Sequence, residues 1–169
     1  MSSSQIGGPV SASVFEQLTA KLRAAGAHFT VQHHEPVYTS EAAAAVRGTA
    51  LSSGAKALIL NLDGNPALFV LPANRKLDNK KLRCATSTRS LRFATPDEVL
   101  ALTGLRPGSI PPFGSLFALS TYCDPALAAN SAINFNAGDH SISISMTYSD
   151  FLRVEAPQWI DFSAVASKN

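Results

Sequence analysis

At 169 residues, 46% hydrophobic and 15% charged, the chain is long enough to bury one core and too apolar to be disordered. No apolar run approaches the roughly 18–20 residues needed to cross a bilayer, and residues 1–8 are Ser/Gly-rich without the apolar stretch of a secretory signal. The net charge of +2 is modest, but Arg75, Lys76, Lys80, Lys81, Arg83, Arg89 and Arg92 are half of the fourteen basic residues, opposed locally only by Asp78. That asymmetry predicts either a basic face suited to a polyanion or a solvated helix with its flanks.

Residues 1–10 are expected to be flexible, and the whole chain, 1–169, to form one domain. Ser13-Val14-Phe15-Glu16 predicts a capping box, followed by Val14, Leu18, Leu22 and Ala25 at helical spacing and a stop at Gly26. Ala27 to His33 alternates like a strand. Pro36 breaks it, and Thr39 or Ser40 caps a short Ala-rich helix ending at Gly48. The apolar runs Ala55 to Leu60 and Ala67 to Leu71 flank Asp63-Gly64-Asn65, a hairpin signature. Leu77 to Cys84 reads as a basic helix and Leu91 to Phe93 as a short strand. Thr95-Pro96-Asp97-Glu98 is a second capping box, opening a helix to about Leu102 that stops at Gly104. Ser115 to Ser120 and Ser131 to Phe135 are expected strands. Ser141 to Met146 alternates, with Ile142, Ile144 and Met146 facing inward. Ser149 is expected to cap a last helical turn. Without regular βαβ alternation, the class is α+β: a curved, mostly antiparallel mixed sheet with helices packed outside.

Two features carry possible chemistry. Lys56 opens an apolar strand between Ala55 and Ala57, where a desolvated ammonium needs an anionic partner such as a phosphate or an oxyanion. The other reading is a packed stem with its head at the surface. Gly108-Ser109-Ile110-Pro111-Pro112-Phe113-Gly114 joins two permissive glycines to two stiff prolines. It is either a rigid connection or a shaped wall whose N–H groups at Ser109, Ile110, Phe113 and Gly114 face a ligand. Adjacent strand residues point to opposite faces, so His33-His34-Glu35 is no metal cluster, and no third ligand follows at zinc spacing. No Ser triad is present around Ser52 and Ser53. Cys84 and Cys123 have neither metal spacing nor a histidine partner, so a reducing setting is expected and covalent catalysis is not. Asn136 and Gly138 offer a polar rim, or only a turn.

In their order and spacing these segments resemble the YbaK-like, prolyl-tRNA-synthetase-associated editing domain family of aminoacyl-tRNA deacylases. The resemblance is carried by Pro36 to Thr39, Gly54-Ala55-Lys56-Ala57-Leu58, Leu68 to Pro72, the basic Asn74 to Leu82 segment, Gly108 to Gly114 and Asn136-Ala137-Gly138, over roughly residues 27–155. It implies a freestanding domain that hydrolyses the ester of a mischarged tRNA carrying a small amino acid of the Ala/Ser/Thr/Cys class. Lys56 would meet the tRNA 3′ end, and Gly108 to Pro112 would hold the aminoacyl group and orient its carbonyl. The water would be positioned by backbone groups and the terminal ribose hydroxyl, with no covalent intermediate, cofactor or metal.

The implied catalytic set is Lys56 and Gly108. The substrate-binding set is Tyr38, Arg47, Ser109, Ile110, Pro111, Pro112, Phe113, Gly114, Asn136 and Gly138. Tyr38, Val46, Ile110, Pro111 and Phe113 would wall the amino-acid pocket. Arg75, Lys76, Lys80, Lys81 and Arg83 would hold the acceptor stem by charge and shape, since few aromatics interleave them. The expected setting is the cytoplasm, with an aminoacyl-tRNA as partner, an aminoacyl-tRNA synthetase as a further candidate partner, and no membrane. A catalytically weak tRNA- or synthetase-binding module of the same fold is the alternative, and a small-molecule binder a third reading.

Overall fold

The computed structural model describes residues 12–166, and the expectation of a flexible segment at 1–10 lies outside them. The first helix, α1 (Val14–Ala24), starts where the Ser13 hydroxyl accepts the Glu16 N–H at 3.1 Å and Glu16 accepts the Ser13 N–H in return. Leu18 and Leu22 anchor it in the core. After β1 (Phe29–His33), α2 (Ser40–Arg47) begins at a Thr39 cap and ends at Gly48. The hairpin is β2 (Ala55–Leu62) with β3 (Asn65–Pro72). Its two connecting residues, Asp63 and Gly64, both have positive φ (50° and 85°), as a twist-compatible two-residue turn requires.

The basic segment differs from its expected helix. Arg75–Leu77 is a strand, β4, and α3 spans Asn79–Thr86, because Asp78 accepts the Lys81 N–H and sets the start there. β5 (Leu91–Phe93) and α4 (Pro96–Thr103) match their signals, with the Thr95/Glu98 capping box formed on both sides. Ser115 to Ser120 is not a strand. Gly114–Phe117 winds into a 3₁₀ turn, closed by Leu119 N–H on Gly114 O at 3.0 Å, and the strand that follows, β6, is Thr121–Cys123. Gly114 permits this closeness: a Cβ there would stand 2.8 Å from Leu119 O and collide with Thr121 Oγ1.

β7 (Ala132–Asn136) and β8 (Ile142–Thr147) follow, then α5 (Tyr148–Glu155), β9 (Gln158–Trp159) and β10 (Ser163–Val165). The last helix is capped by Thr147, not Ser149: Thr147 Oγ1 accepts the Asp150 N–H at 3.2 Å, so the final strand residue doubles as the cap.

The expected sheet is divided into three ladders. A five-stranded mixed sheet runs β5-β2-β3-β6-β9, antiparallel through β3 and parallel from β3 to β9. An antiparallel three-stranded sheet runs β1-β8-β7, and β4 pairs with β10. A parallel bridge between Gly54 and Asn134 ties the two larger sheets together. β3 is buried on both faces: Leu68 and Val70 join Leu18, Leu22, Phe113, Phe135 and Phe151, while Ala67, Phe69 and Leu71 join Leu60, Leu82 and Phe162. Two-sided burial explains why Ala67 to Leu71 reads as one continuous apolar run.

Candidate active site

A cleft of about 200 Å³ opens beside the Gly54–Asn134 bridge. Helix α2 supplies one wall from Ser40, Ala43, Ala44 and Arg47, residues at the three- and four-residue spacing that shares a helix face. Gly54 to Leu58, Asn134 to Asn136, Gly108 and Ile110 form the rest, with Tyr38 also in the lining. Alanines at 43, 44, 50, 55, 57 and 73 keep the space open.

Arg47 is the organising cation. Its Nε donates to Ser143 Oγ and its Nη2 to Asn136 Oδ1, both at 2.8 Å. Asn136 Nδ2 in turn donates to Gly108 O at 2.7 Å, so one amide fastens the loop to the guanidinium. Burial lowers the Arg47 pKa to about 10, which leaves it cationic at neutral pH. Behind it, His34 Nδ1 lies 2.7 Å from Glu35 O and Nε2 lies 2.7 Å from Ser143 Oγ. A carbonyl only accepts, so in the neutral ring Nδ1 carries the proton and Nε2 accepts the Ser143 hydroxyl. Ser143 thus donates to His34 while accepting from Arg47, and every partner has a matching role.

Lys56 is half-buried and donates to Arg75 O at 3.2 Å. Burial lowers its pKa, and the charge of Glu41 partly offsets this. An ammonium has three donors, so two remain after that bond. Arg75 is itself held: its Nε donates to Ser163 Oγ at 2.7 Å and its Nη2 to Ser163 O at 3.1 Å. The Ser163 N–H donates to Asp124 Oδ2 at 2.8 Å. A buried carboxylate is therefore linked through β10 and β4 to Lys56.

Of the residues singled out in the sequence, the cleft brings together Tyr38, Arg47, Lys56, Gly108, Ile110 and Asn136. Val46, Ser109, Pro111, Pro112, Phe113, Gly114 and Gly138 are not among its lining. The physical reason is that the Pro-rich loop folds back onto itself and into the core. Phe113 meets Phe135 and Phe151 edge-on at ring-centre distances of 5.7 and 5.4 Å. Three of the four N–H groups expected to face a ligand are spent internally, Ser109 on Arg106 O, Phe113 on Pro111 O and Gly114 on Thr121 Oγ1. The Ile110 N–H alone finds no acceptor among the described residues. Gly138 sits outside the cleft, its N–H donating to Ser109 O and its α-carbon packed beside Val14.

The basic set is split as well. Arg75 turns inward to Ser163, and Lys81 binds Asp161 Oδ1 and Ser163 O. Lys76, Lys80 and Arg83 are exposed. Cys84 is exposed, while burial, with Asp124 nearby, pushes the Cys123 thiol up to about 12 and keeps it un-ionised. Ser143, His34 and Asn134 were not in the expected site. For Asn134 a signal existed, since it shares a strand face with Asn136 at period two. Tyr38, 77% exposed, rests its ring 4.8 Å from that of His140, another contact no spacing announces.

No helix among the described residues is long and apolar enough to cross a membrane. The model of the aminoacyl-tRNA editing domain family matches residues 34–154. The chain is 36% identical over 156 residues to the multifunctional Ser/Thr-tRNA deacylase ProXp-y of Escherichia coli K12, covering 89% of this chain and 93% of that protein. It is 25% identical over 156 residues to the prolyl-tRNA editing protein ProX of Acetoanaerobium sticklandii, covering 89% and 95%. A solved structure of a candidate trans-editing enzyme for prolyl-tRNA synthetase superposes with a TM-score of 0.80 at 24% identity, over 92% of this chain and 99% of that one, a likeness of fold. With the family model spanning the cleft-forming residues and a relative at 36% identity across most of both chains, this chain belongs to the aminoacyl-tRNA editing domain family.

Proposed function

We propose that the chain is a trans-editing aminoacyl-tRNA deacylase that hydrolyses the ester between a small amino acid and the tRNA 3′ end. The observation that carries this reading is the cleft itself: a small alanine-lined space whose lining holds Lys56 together with the Arg47–Asn136–Gly108 network. Family membership and the relative named as a Ser/Thr-tRNA deacylase support it.

In this reading, Lys56 directs its two remaining donors at a phosphate of the 3′-terminal nucleotide, a charge-assisted contact that fixes the ester's position. The Gly108 carbonyl, held by Asn136, accepts from the substrate's α-ammonium with its second lone pair. The Ile110 N–H is aimed at the ester carbonyl oxygen, where negative charge develops. Water adds to the carbonyl carbon as its proton passes to the free hydroxyl of the terminal ribose, which hands its own proton to the adjacent ester oxygen that leaves. The C–O bond to the ribose then breaks, releasing free amino acid and uncharged tRNA. Orientation and charge stabilisation suffice because the ester is already labile. Lys76, Lys80 and Arg83, with Arg75 and Lys81 behind them, supply the charge for the acceptor stem. The reading places the protein in the cytoplasm, where a synthetase generates the mischarged substrate, and treats 1–169 as one domain.

The test is a panel of mischarged tRNAs with ester loss measured over time. Hydrolysis of seryl-, threonyl- or alanyl-tRNA is expected. Lys56→Ala should lower kcat/KM by about 10–100-fold, the worth of one charge-assisted hydrogen bond of roughly 1.5–3 kcal/mol. Wild-type rates in Lys56→Ala would remove the role given to Lys56. Salt-sensitive tRNA binding without hydrolysis of any ester would make the protein a binding module instead.

A further inference from the structure

We infer that Asn134 is a specificity-determining residue whose Oδ1 reads the side-chain hydroxyl of a seryl or threonyl ester. The inference rests on the deacylase reading of the cleft. Asn134 lies on β7, on the same strand face as Asn136, and is 6% exposed in the cleft lining. Its amide is held one way round. The Ser53 hydroxyl has a single proton, given to Ala50 O at 2.7 Å, so Ser53 Oγ must act as acceptor for Asn134 Nδ2 at 3.0 Å. With Nδ2 on Ser53, Oδ1 is the free end of the amide, and no donor reaches it among the described residues. Every fully buried side-chain nitrogen or oxygen there has a partner, so Oδ1 must reach accessible surface, and Asn134 lines the cleft.

The other side-chain acceptors of the lining are committed or more open. Thr39 Oγ1 takes the Ala42 N–H and Asn136 Oδ1 takes Arg47, while Ser40 is partly exposed in the first turn of α2 beside the exposed Tyr38. Gly54, bridged to Asn134, lines the cleft with Leu51, Ala55 and Ala57, none of which offers a side-chain hydrogen bond. A hydroxyl donating to Oδ1 is matched. An alanyl side chain excludes water from the same spot and leaves the acceptor unpaired. Enclosed sites built to bond a substrate hydroxyl discriminate strongly against the analogue that lacks it.

The test compares seryl-, threonyl- and alanyl-tRNA made on the same tRNA body. Wild-type protein is expected to favour seryl over alanyl by at least about tenfold in kcat/KM. Asn134→Ala should bring that ratio below about threefold, by slowing the seryl and threonyl esters and relieving the unpaired acceptor that penalises the alanyl ester, with a wild-type-like thermal unfolding transition reporting a folded protein. Ser53→Ala, which frees the amide to rotate, should lower the ratio in the same direction and by less. An unchanged ratio in Asn134→Ala overturns the inference. Should that variant fail to fold, an unchanged ratio in Ser53→Ala, or a wild-type enzyme that treats seryl and alanyl esters alike, overturns it equally. A wild-type protein that hydrolyses none of the three esters overturns the deacylase reading, and the inference with it.

Discussion

Asp124 is 1% exposed, yet it carries the strap that holds the C-terminal strand against β4. Its Oδ2 accepts the N–H groups of Phe162 and Ser163 at 2.9 and 2.8 Å, and its Oδ1 accepts that of Ala126 at 2.8 Å. Asp124→Asn keeps the shape and removes the match. The amide's best placement turns its nitrogen toward the Ala126 N–H, which loses its acceptor and faces a second donor, and the two remaining backbone bonds lose their charge. An orphaned buried donor costs about 1–3 kcal/mol, and two weakened bonds add about 1 kcal/mol, for a total of about 3 kcal/mol. For a chain of this size that is a fall in Tm of about 6–12 °C. Urea unfolding followed by the single tryptophan, Trp159, measures it.

The same carboxylate sets a pH signature. Burial alone would raise its pKa, but the backbone donors of Ala126, Phe162 and Ser163, with the Ser163 hydroxyl, outweigh that and hold it below the ordinary value. A depressed folded pKa stabilises the protein above the unfolded value, near 3.9, and the benefit is lost as pH falls through the folded one. The stability gap between wild type and Asp124→Asn should therefore be constant from neutral pH down to about 5 and shrink below about 4. A gap under about 1 kcal/mol at pH 7, or one that does not narrow in acid, would refute the reasoning.

Arg47→Lys tests the cleft network: one ammonium cannot span Ser143 and Asn136 as the guanidinium does, so kcat/KM for the preferred ester should fall about 10–100-fold, whereas wild-type turnover would show that the fork is dispensable. Phe113→Ala should cost about 3–5 kcal/mol of stability, since the ring is fully buried against Phe135 and Phe151. Its seryl-to-valyl selectivity should stay at the wild-type value, and a shift in selectivity with little loss of stability would return the ring to the cleft wall.

Features set by a few neighbouring residues were legible in the chain itself. The capping boxes at Ser13/Glu16 and Thr95/Glu98, the stops at Gly48 and Gly104 and the Asp63–Gly64 turn all form as read, because each donor and acceptor lies within four residues of its partner. The ordered motifs around Lys56 and Gly108 likewise pointed to the editing-domain family. What required the tertiary structure was every choice made between distant segments. β4 went unread, and took Leu77 from the expected basic helix, because its partner, β10, lies about 88 residues away. Ser115 to Ser120 looked like a strand, but Gly114 and Thr121 close it into a turn.

In the loop at Gly108–Gly114 composition revealed stiffness and donors. Only the fold assigned three donors to internal acceptors, sent Phe113 to the core and left Ile110 to face the cleft. The sequence by itself determined the local geometry, the cation at Lys56 and the family. Packing decided which polar atoms remain unsatisfied and therefore available to a ligand, because a hydrogen bond between residues far apart in the chain exists only once the fold brings them within 3 Å or so.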